Sequence, residues 1–403
     1  MNVVLALLQS VTLLVELTLT LPLLYLALLS ITALAARRRR GPSPEVNPVT
    51  EPCFAILIPA HNEASGIAST VRSAVTLDYP PESRAVIVVA DNCTDSTAVL
   101  ARAAGATVFE RTDTTLQAKG YALRWLLEQL ESHGERYDAY VIVDADSRLA
   151  PDFLRLMSRA LARGAQVAQG QYRVLNSDAS WTSGLRAVAF ALFNHLRPLG
   201  RSWFGWSAGL KGNGMCFTRA VIERFGWGSF SLTEDVEFHV RLLDAGIHVA
   251  YIPAAIVAAE MPTTLGQART QQARWERGRI DVTRTYAPHL INAFFRHGDA
   301  ARLDAAMEMM LPPLSLLMGA LLCSLALSLA LRWTLGTVLG AILLALFTLH
   351  VVTGCVLARL SARAYLSLLR LPVFIAWKSW VYLAALGGRA GGAWIRTQRA
   401  GDQ

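Results

Sequence analysis

The chain has 403 residues, 53% of them hydrophobic and 17% charged, with a mean hydropathy of +0.35 and a formal net charge of +8. This is more apolar than an ordinary soluble protein and leaves room for one large domain plus segments that must hide their apolar surface elsewhere. Of the 38 basic residues only three are lysines (Lys119, Lys211, Lys378), and no basic stretch interleaved with aromatics and no zinc-finger spacing accompanies them, so membrane lipid rather than nucleic acid is the expected partner of the charge.

Residues from about Val3 to Ala36 are apolar over more than the roughly 20 residues that cross a bilayer, and Arg37, Arg38, Arg39 and Arg40 follow at once. A cleaved signal peptide would be shorter and carry its positive charge first. Residues 1–40 therefore read as a permanent anchor, with the arginines and the chain beyond them on the cytoplasmic side of a plasma (inner) membrane. Glu16 interrupts the apolar run; a span that starts near residue 14 leaves it among the head groups.

From Pro42 to about Asp299 short β-branched runs alternate with helical ones. "PCFAILIPAHNE" reads as strand and loop, residues 64–77 as helix, "AVIVVADNCTD" as strand and loop, and residues 95–104 as helix. "ATVFER" is a third strand, residues 117–131 a helix, and "AYVIVDAD" a fourth strand. This βα repetition predicts an α/β fold with a parallel sheet and helices on both faces. No GxGxxG follows the first strand and no GxxxxGK[ST] occurs, which excludes the dinucleotide and P-loop fingerprints. Instead Asp91, Asp144 and Asp146 stand at strand ends, at the sheet edge where ligands bind. Three carboxylates gathered there need a divalent cation or hydrogen-bond donors, and all-oxygen ligands suit Mg²⁺ or Mn²⁺.

Thr233, Glu234 and Asp235 precede the helical run "VEFHVRLLDAG", where a capping box of Ser231 and Glu234 is the structural alternative to a reactive acid. Gln271, Arg274 and Trp275 share one helix face, in a basic segment, 265–310, that reads as interfacial amphipathic helices. Trp203, Phe204 and Trp206 form an aromatic group that suits a sugar site, a core or a membrane-facing loop. Beyond them, Leu311 to Leu331 and Thr334 to Leu357 are long enough to span, and Ala364 to Leu386, with Arg370, Pro372 and Lys378 inside it, either spans with a kink, the preferred reading, or lies along the interface. A basic tail, 388–403, with Arg389, Arg396 and Arg399, closes the chain on the cytoplasmic side. The five cysteines (Cys53, Cys93, Cys216, Cys323, Cys355) form no CxxC pair and no HExxH occurs, as in a reducing compartment without a structural zinc site.

"IPAHNE", "ADNCTD", "QAKGYAL", "VDADS", "TED" and "QQARW", in this order over residues 52–290, resemble the motif set of family 2 glycosyltransferases of the GT-A fold, a Rossmann-like, mostly parallel sheet. With flanking membrane helices, the last two are similar to the branch that holds cellulose, chitin and hyaluronan synthases. The resemblance implies a cytoplasmic GT-A domain over 41–264 and membrane helices over 311–387. It implies that Asp144 and Asp146 meet a Mg²⁺ or Mn²⁺ ion and the donor diphosphate, that Asp91 contacts the nucleoside with Ala60 and Glu63 near the base, and that Lys119 and Arg274 face the diphosphate. A solvated surface lysine is the alternative for Lys119. Asp235 would be the catalytic base of an inverting transfer, with Glu234, Gln271 and Trp275 on the acceptor side. The expected reaction moves a sugar from a nucleotide donor, first a UDP-sugar, to a growing saccharide. A single transfer to a lipid-linked acceptor is the alternative, and a non-catalytic membrane scaffold the third reading. About four spans make only a narrow channel, so export of a long product would call for a homo-oligomer or an export partner.

Overall fold

The computed structural model describes residues 2–39, 51–231 and 233–386. Arg40 and the tail arginines Arg389, Arg396 and Arg399 lie outside the described residues. The chain opens with α1 (Asn2–Arg39), which carries Pro22 inside it. It then alternates β1 (Phe54–Ala60), α2 (Ile67–Val75), β2 (Arg84–Asp91), α3 (Thr97–Ala103), β3 (Thr107–Arg111), α4 (Lys119–Ser132) and β4 (Ala139–Ile142), the four strands and three helices expected from the apolar periodicity. Next come β5 (Ser147–Leu149), α5 (Phe153–Ala162), β6 (Val167–Val174), α6 (Trp181–Phe190), a π-helical turn (Ala191–Leu196) and α7 (Arg197–Trp203). β7 (Met215–Thr218), α8 (Arg219–Phe225), α9 (Glu234–Asp244) and β8 (Val249–Ala259) complete the sheet.

The eight strands form one sheet in the order β3-β2-β1-β4-β7-β6-β8-β5. β3, β2, β1 and β4 are parallel, whereas β7 runs antiparallel to both β4 and β6, and β5 antiparallel to β8. The expectation of a parallel sheet thus holds for one half, and the whole is mixed. The reversal has a purpose in space: Met215, the first residue of β7, pairs with Ile142, the last of β4, so the loop ahead of β7 returns to the edge where β4 ends.

Both faces of β1 are buried, and its alternation assigns them. Phe54, Ile56, Ile58 and Ala60 pack with α2 and α5, among them Ile67, Val71, Phe153 and Met157. Ala55 and Leu57 face a second core that contains Leu123 and Leu126 of α4 and continues into Leu26 and Leu29 of α1 and Leu196 and Leu199 beside α7. The apolar anchor is therefore part of the same core as the sheet.

α6, the π turn and α7 form one continuous helical run, and the wide turn ends just before Pro198. Proline lacks the N–H that would bond to the residue four earlier and its ring crowds that carbonyl, which a π insertion relieves. The remaining helices are α10 (Leu265–His297), α11 (Ala300–Met310), α12 (Leu314–Ala330), α13 (Thr334–Leu357), α14 (Ala362–Ser367) and α15 (Leu371–Leu386). By length and composition Val3–Arg38, Thr334–Leu357 and Ala362–Ala384 can each cross a membrane. α12 alone, at 17 residues, does not reach that length, and it qualifies only together with α11, from which it bends by 68° at Pro312 and Pro313. Glu16 does not face head groups: it is fully buried, accepts a hydrogen bond from Ser324 Oγ at 2.9 Å and lies against Gly340, because α12 and α13 close over that side of α1.

The contact of α1 with α7 depends on a missing side chain. A Cβ at Gly200 would stand 2.4 Å from the Leu29 carbonyl oxygen and 3.0 Å from its Cα, so the helices must part to admit it. Gly200→Ala is expected to lower stability by roughly 1–3 kcal/mol, the usual cost of overpacking, seen as a lower thermal midpoint of the detergent-purified protein. An unchanged midpoint would show that this crossing does not hold the anchor.

Candidate active site

Strand ends, the loop before β7 and the start of α9 meet around a cavity of about 1170 Å³. Asp144 and Asp146, just past β4, both line it, as do Glu63, Lys119, Glu234, Asp235, Gln271, Arg274 and Trp275. Nine of the eleven expected site residues are thus brought to one cavity, from motifs more than two hundred residues apart. Asp91 does not join them. It is fully buried at the end of β2 with Oδ1 held 2.6 Å from Arg111 Nη1, so an arginine from the neighbouring strand, and not a shared metal, answers its charge. Burial raises its pKa and Arg111 opposes that rise. Ala60 is also buried and outside the cavity lining; its carbonyl lies 3.5 Å from Cys93 Sγ.

Lys119 is the junction of the site. Its Nζ donates to Asp144 Oδ1 at 2.6 Å and to the Gly212 carbonyl at 2.5 Å, and lies 3.5 Å from Glu234 Oε1. One ammonium thereby links the ends of β4, the β7 loop and α9, which excludes the solvated surface lysine. Burial alone would lower its pKa, but Asp144 and Glu234 hold it above the ordinary lysine range. Gly212 takes a positive φ of 73°, and its open Cβ direction points at Asp235, whose Oδ2 would be 3.5 Å from such an atom.

Glu234 and Asp235 open α9, with Thr233 before them. No capping box forms: the Ser231 N–H donates to Glu237 Oε2 at 3.3 Å instead. Burial raises both carboxyls, opposed by Lys119; Asp235 pushes Glu234 further, to about 7. At that value Glu234 takes and releases protons near neutral pH, and the upward shift of Asp235 makes it the stronger base that a general base requires. Arg274 is lowered by burial, against the pull of Glu234 and Asp144, which puts its guanidinium on the same side.

Among the described residues no three His, Cys, Asp or Glu side chains gather as a ready metal cage. The donor set still suits a hard cation. Asp144 and Asp146 offer carboxylate oxygens into a cavity, and Mg²⁺ commonly takes one or two carboxylates and completes its shell with substrate phosphates and water.

Sequence patterns missed much of the opposite wall. α6 and the helical turns after it place Arg186, Phe190, Phe193, Arg197 and Arg201 on the cavity, spaced by three, four or seven residues as one helix face requires. Phe190 packs edge-on to Tyr172 at 5.0 Å and lies 6.4 Å from the Trp275 ring, so the motif tryptophan sits on an aromatic shelf. Lys211 Nζ rests 3.6 Å over the Phe193 ring. The group Trp203, Phe204 and Trp206 is absent from the cavity lining; Phe204 and Trp206 stack on each other at 4.3 Å. Past the shelf the cavity becomes apolar, lined by Leu314, Met318, Phe347, Val351, Leu371 and Phe374 from α12 to α15.

Comparison with known proteins identifies the family and the fold. Residues 52–278 match a family model described as "Glycosyltransferase like family 2". A probable glycosyltransferase, YdaM, of Bacillus subtilis (strain 168) is 30% identical over 239 residues, 56% of this chain and 55% of that one. Glucomannan 4-beta-mannosyltransferase 7 of Arabidopsis thaliana is 26% identical over 260 residues, 62% of this chain and 46% of that one. An N-acetylglucosaminyltransferase of Rhizobium leguminosarum bv. viciae is 26% identical over 258 residues, 61% and 59% of the two chains. The chain thus spans about half the length of the relatives it matches. Among solved structures, the mannosyltransferase PcManGT of Pyrobaculum calidifontis, in complex with GDP-Man and Mn²⁺, has the same fold, with a TM-score of 0.54 at 18% identity over 93% of this chain and 99% of that one.

The raised Glu234 carboxyl has a measurable signature. Its pKa is 4.5 in the unfolded chain and about 7 in the folded one, so the native state binds more protons between those values. Native stability therefore falls as pH rises from 4.5 to 7, and the deficit is complete above 7. Glu234→Gln is expected to be more stable than wild type at pH 8, by on the order of 2 kcal/mol, and indistinguishable from it at pH 4.5. Thermal melts at the two pH values test this; an equal gain at both would assign the effect to something other than charge.

Proposed function

The chain belongs to the family 2 glycosyltransferases, and from that premise we propose that it is a membrane-embedded, inverting enzyme. It carries a sugar from a nucleotide donor to an acceptor hydroxyl, with its sheet domain on the cytoplasmic side. The observation that supports this best is the meeting of Asp235, Lys119, Asp144 and Arg274 in one cavity. Asp235 takes the proton of the acceptor hydroxyl as its oxygen attacks the anomeric carbon, and the bond to the diphosphate breaks on the far side of that carbon. A single displacement of this kind inverts the configuration. Lys119 and Arg274 balance the charge that collects on the departing diphosphate. Asp144 and Asp146 are the residues to hold Mg²⁺ or Mn²⁺, which when bound adds to the same neutralisation. A UDP-sugar is the first donor to try and GDP-mannose, bound by the structural relative, the second. Asp91, closed by Arg111, and Ala60 and Glu63 border the base end.

For the acceptor, the aromatic shelf of Tyr172, Phe190 and Trp275 supports a growing saccharide, since rings stack on sugar faces. The apolar arm beyond it favours a second reading, a single sugar passed to a lipid-linked acceptor.

Nucleoside diphosphate release by the detergent-purified protein, measured over a panel of UDP- and GDP-sugars with Mn²⁺ or EDTA, tests the proposal. Release with one donor is expected, lost in EDTA and reduced about 10²–10⁴-fold in Asp235→Asn, with nucleotide binding retained. A product that grows with time identifies a polymer, and one discrete lipid product the second reading. Metal-independent release that survives in Asp235→Asn would sink the mechanism.

A further inference from the structure

Arg186 is 4% exposed, and among the described residues it has no ion pair. Its Nη1 donates to Gln271 Oε1 at 3.2 Å and lies 4.0 Å from Met261 Sδ, while Nη2 is buried with no hydrogen-bond partner. Every other strongly buried arginine on the cavity is answered: Arg197 by Glu308, and Arg201 by Asp304 and Glu308. A guanidinium cannot escape burial by losing its proton at neutral pH, and an isolated buried charge costs several kcal/mol. Lys378, which feels Arg186 as a like charge, already pairs with Glu276 at 2.6 Å and supplies no countercharge.

The position of Arg186 adds meaning. It lines the cavity from the first turns of α6, where Gly184 lies so close to Ser367 of α14 that a Cβ would meet its Oγ at 2.9 Å. Leu368, the next residue, lines the apolar arm, and Gln271 lies one helical turn before Arg274. Arg186 thus stands where the polar half of the cavity passes into the half walled by membrane helices.

We propose that Arg186 is the anchor for the anionic head group of a membrane-derived amphiphile, of the phosphate type. Its tail lies along α13 and α15, and its sugar or hydroxyl end reaches Asp235. This rests on the transferase reading and names the class of its acceptor. The anion supplies the missing countercharge, the apolar arm receives the chain, and Gln271 orients the guanidinium between them.

The full chain, purified in dodecyl maltoside, is titrated with dodecyl phosphate, with inorganic phosphate and with further dodecyl maltoside, and its thermal midpoint is followed for wild type, Arg186→Gln and Arg186→Lys. Dodecyl phosphate is expected to stabilise wild type and the lysine variant at concentrations about tenfold below those that Arg186→Gln needs, with no such gap for the neutral amphiphile. An equal response of wild type and Arg186→Gln overturns the proposal, and saturation by inorganic phosphate alone overturns the membrane source of the anion. UDP and GDP, each with Mn²⁺, are added in parallel. Protection of wild type and both variants by either nucleotide keeps the transferase reading standing even if the Arg186 site fails, and protection by neither counts against the reading itself. If Arg186→Gln does not fold, native mass spectrometry of wild type decides: one dodecyl phosphate retained against tenfold dodecyl maltoside supports the site, and none retained overturns it.

Discussion

A charge that cannot be shed fixes how the apolar helices sit on the sheet domain. Arg201 is 2% exposed, so its surroundings must supply both carboxylates and lone pairs. They do so from two distant parts of the chain: Asp304 at 2.7 Å and Glu308 at 2.5 Å from α11, and the Tyr25 hydroxyl at 2.9 Å from α1. Tyr25 in turn donates to Asp304 at 2.7 Å, and Arg197 takes the other oxygen of Glu308. Displacing any of the three helices would leave a buried ion unpaired, a loss of several kcal/mol. The helical run that carries Arg201 also carries Phe193, Phe190 and Arg186, so the same network sets the wall of the cavity facing the acids.

On the other wall, Lys119 does comparable work at shorter range. It draws Asp144, the Gly212 carbonyl and Glu234 onto one nitrogen, and the mixed topology makes this reachable, because β7 runs back against β4 and delivers the glycine loop to the edge where the aspartates stand. Burial then raises both acids of α9, and Asp235 raises Glu234 further, which the helix start and the lysine only partly relieve.

The half of the fold written in β-branched runs was legible in the sequence. β1, β2 and β4 follow from "FAILIPA", "AVIVVAD" and "AYVI", because parallel strands buried on both faces are apolar nearly throughout, and β3, the edge strand, from the shorter β-branched run in "TVFER". β5, of three residues, and β7, of four, carry too little pattern to be seen, and β6 reads "VAQGQYRV", polar where its partners rather than its own sequence bury it. The acids that line the cavity were visible as motifs, whereas nothing local to Asp91 announced that Arg111, twenty residues on, would pair with it. The cavity wall of α6 was hidden for a different reason. A helix that packs on a sheet and lines a cavity is apolar nearly all round, so Phe190 and Phe193 resemble core until the opposing Trp275 is placed.

The shared core of anchor and sheet bears on how the protein is made. α1 precedes all its partners in the chain, so its inner face is satisfied late: Leu26 and Leu29 by Leu196 and Leu199, Tyr25 by Asp304, Glu16 by Ser324, and Ser30 by His350 at 2.9 Å. Until those partners are made, that face presents a carboxyl and several hydroxyls without them. The second face of the sheet likewise stays open until α1 packs on it. The late helices of the chain thus complete contacts that the first one offers from the start.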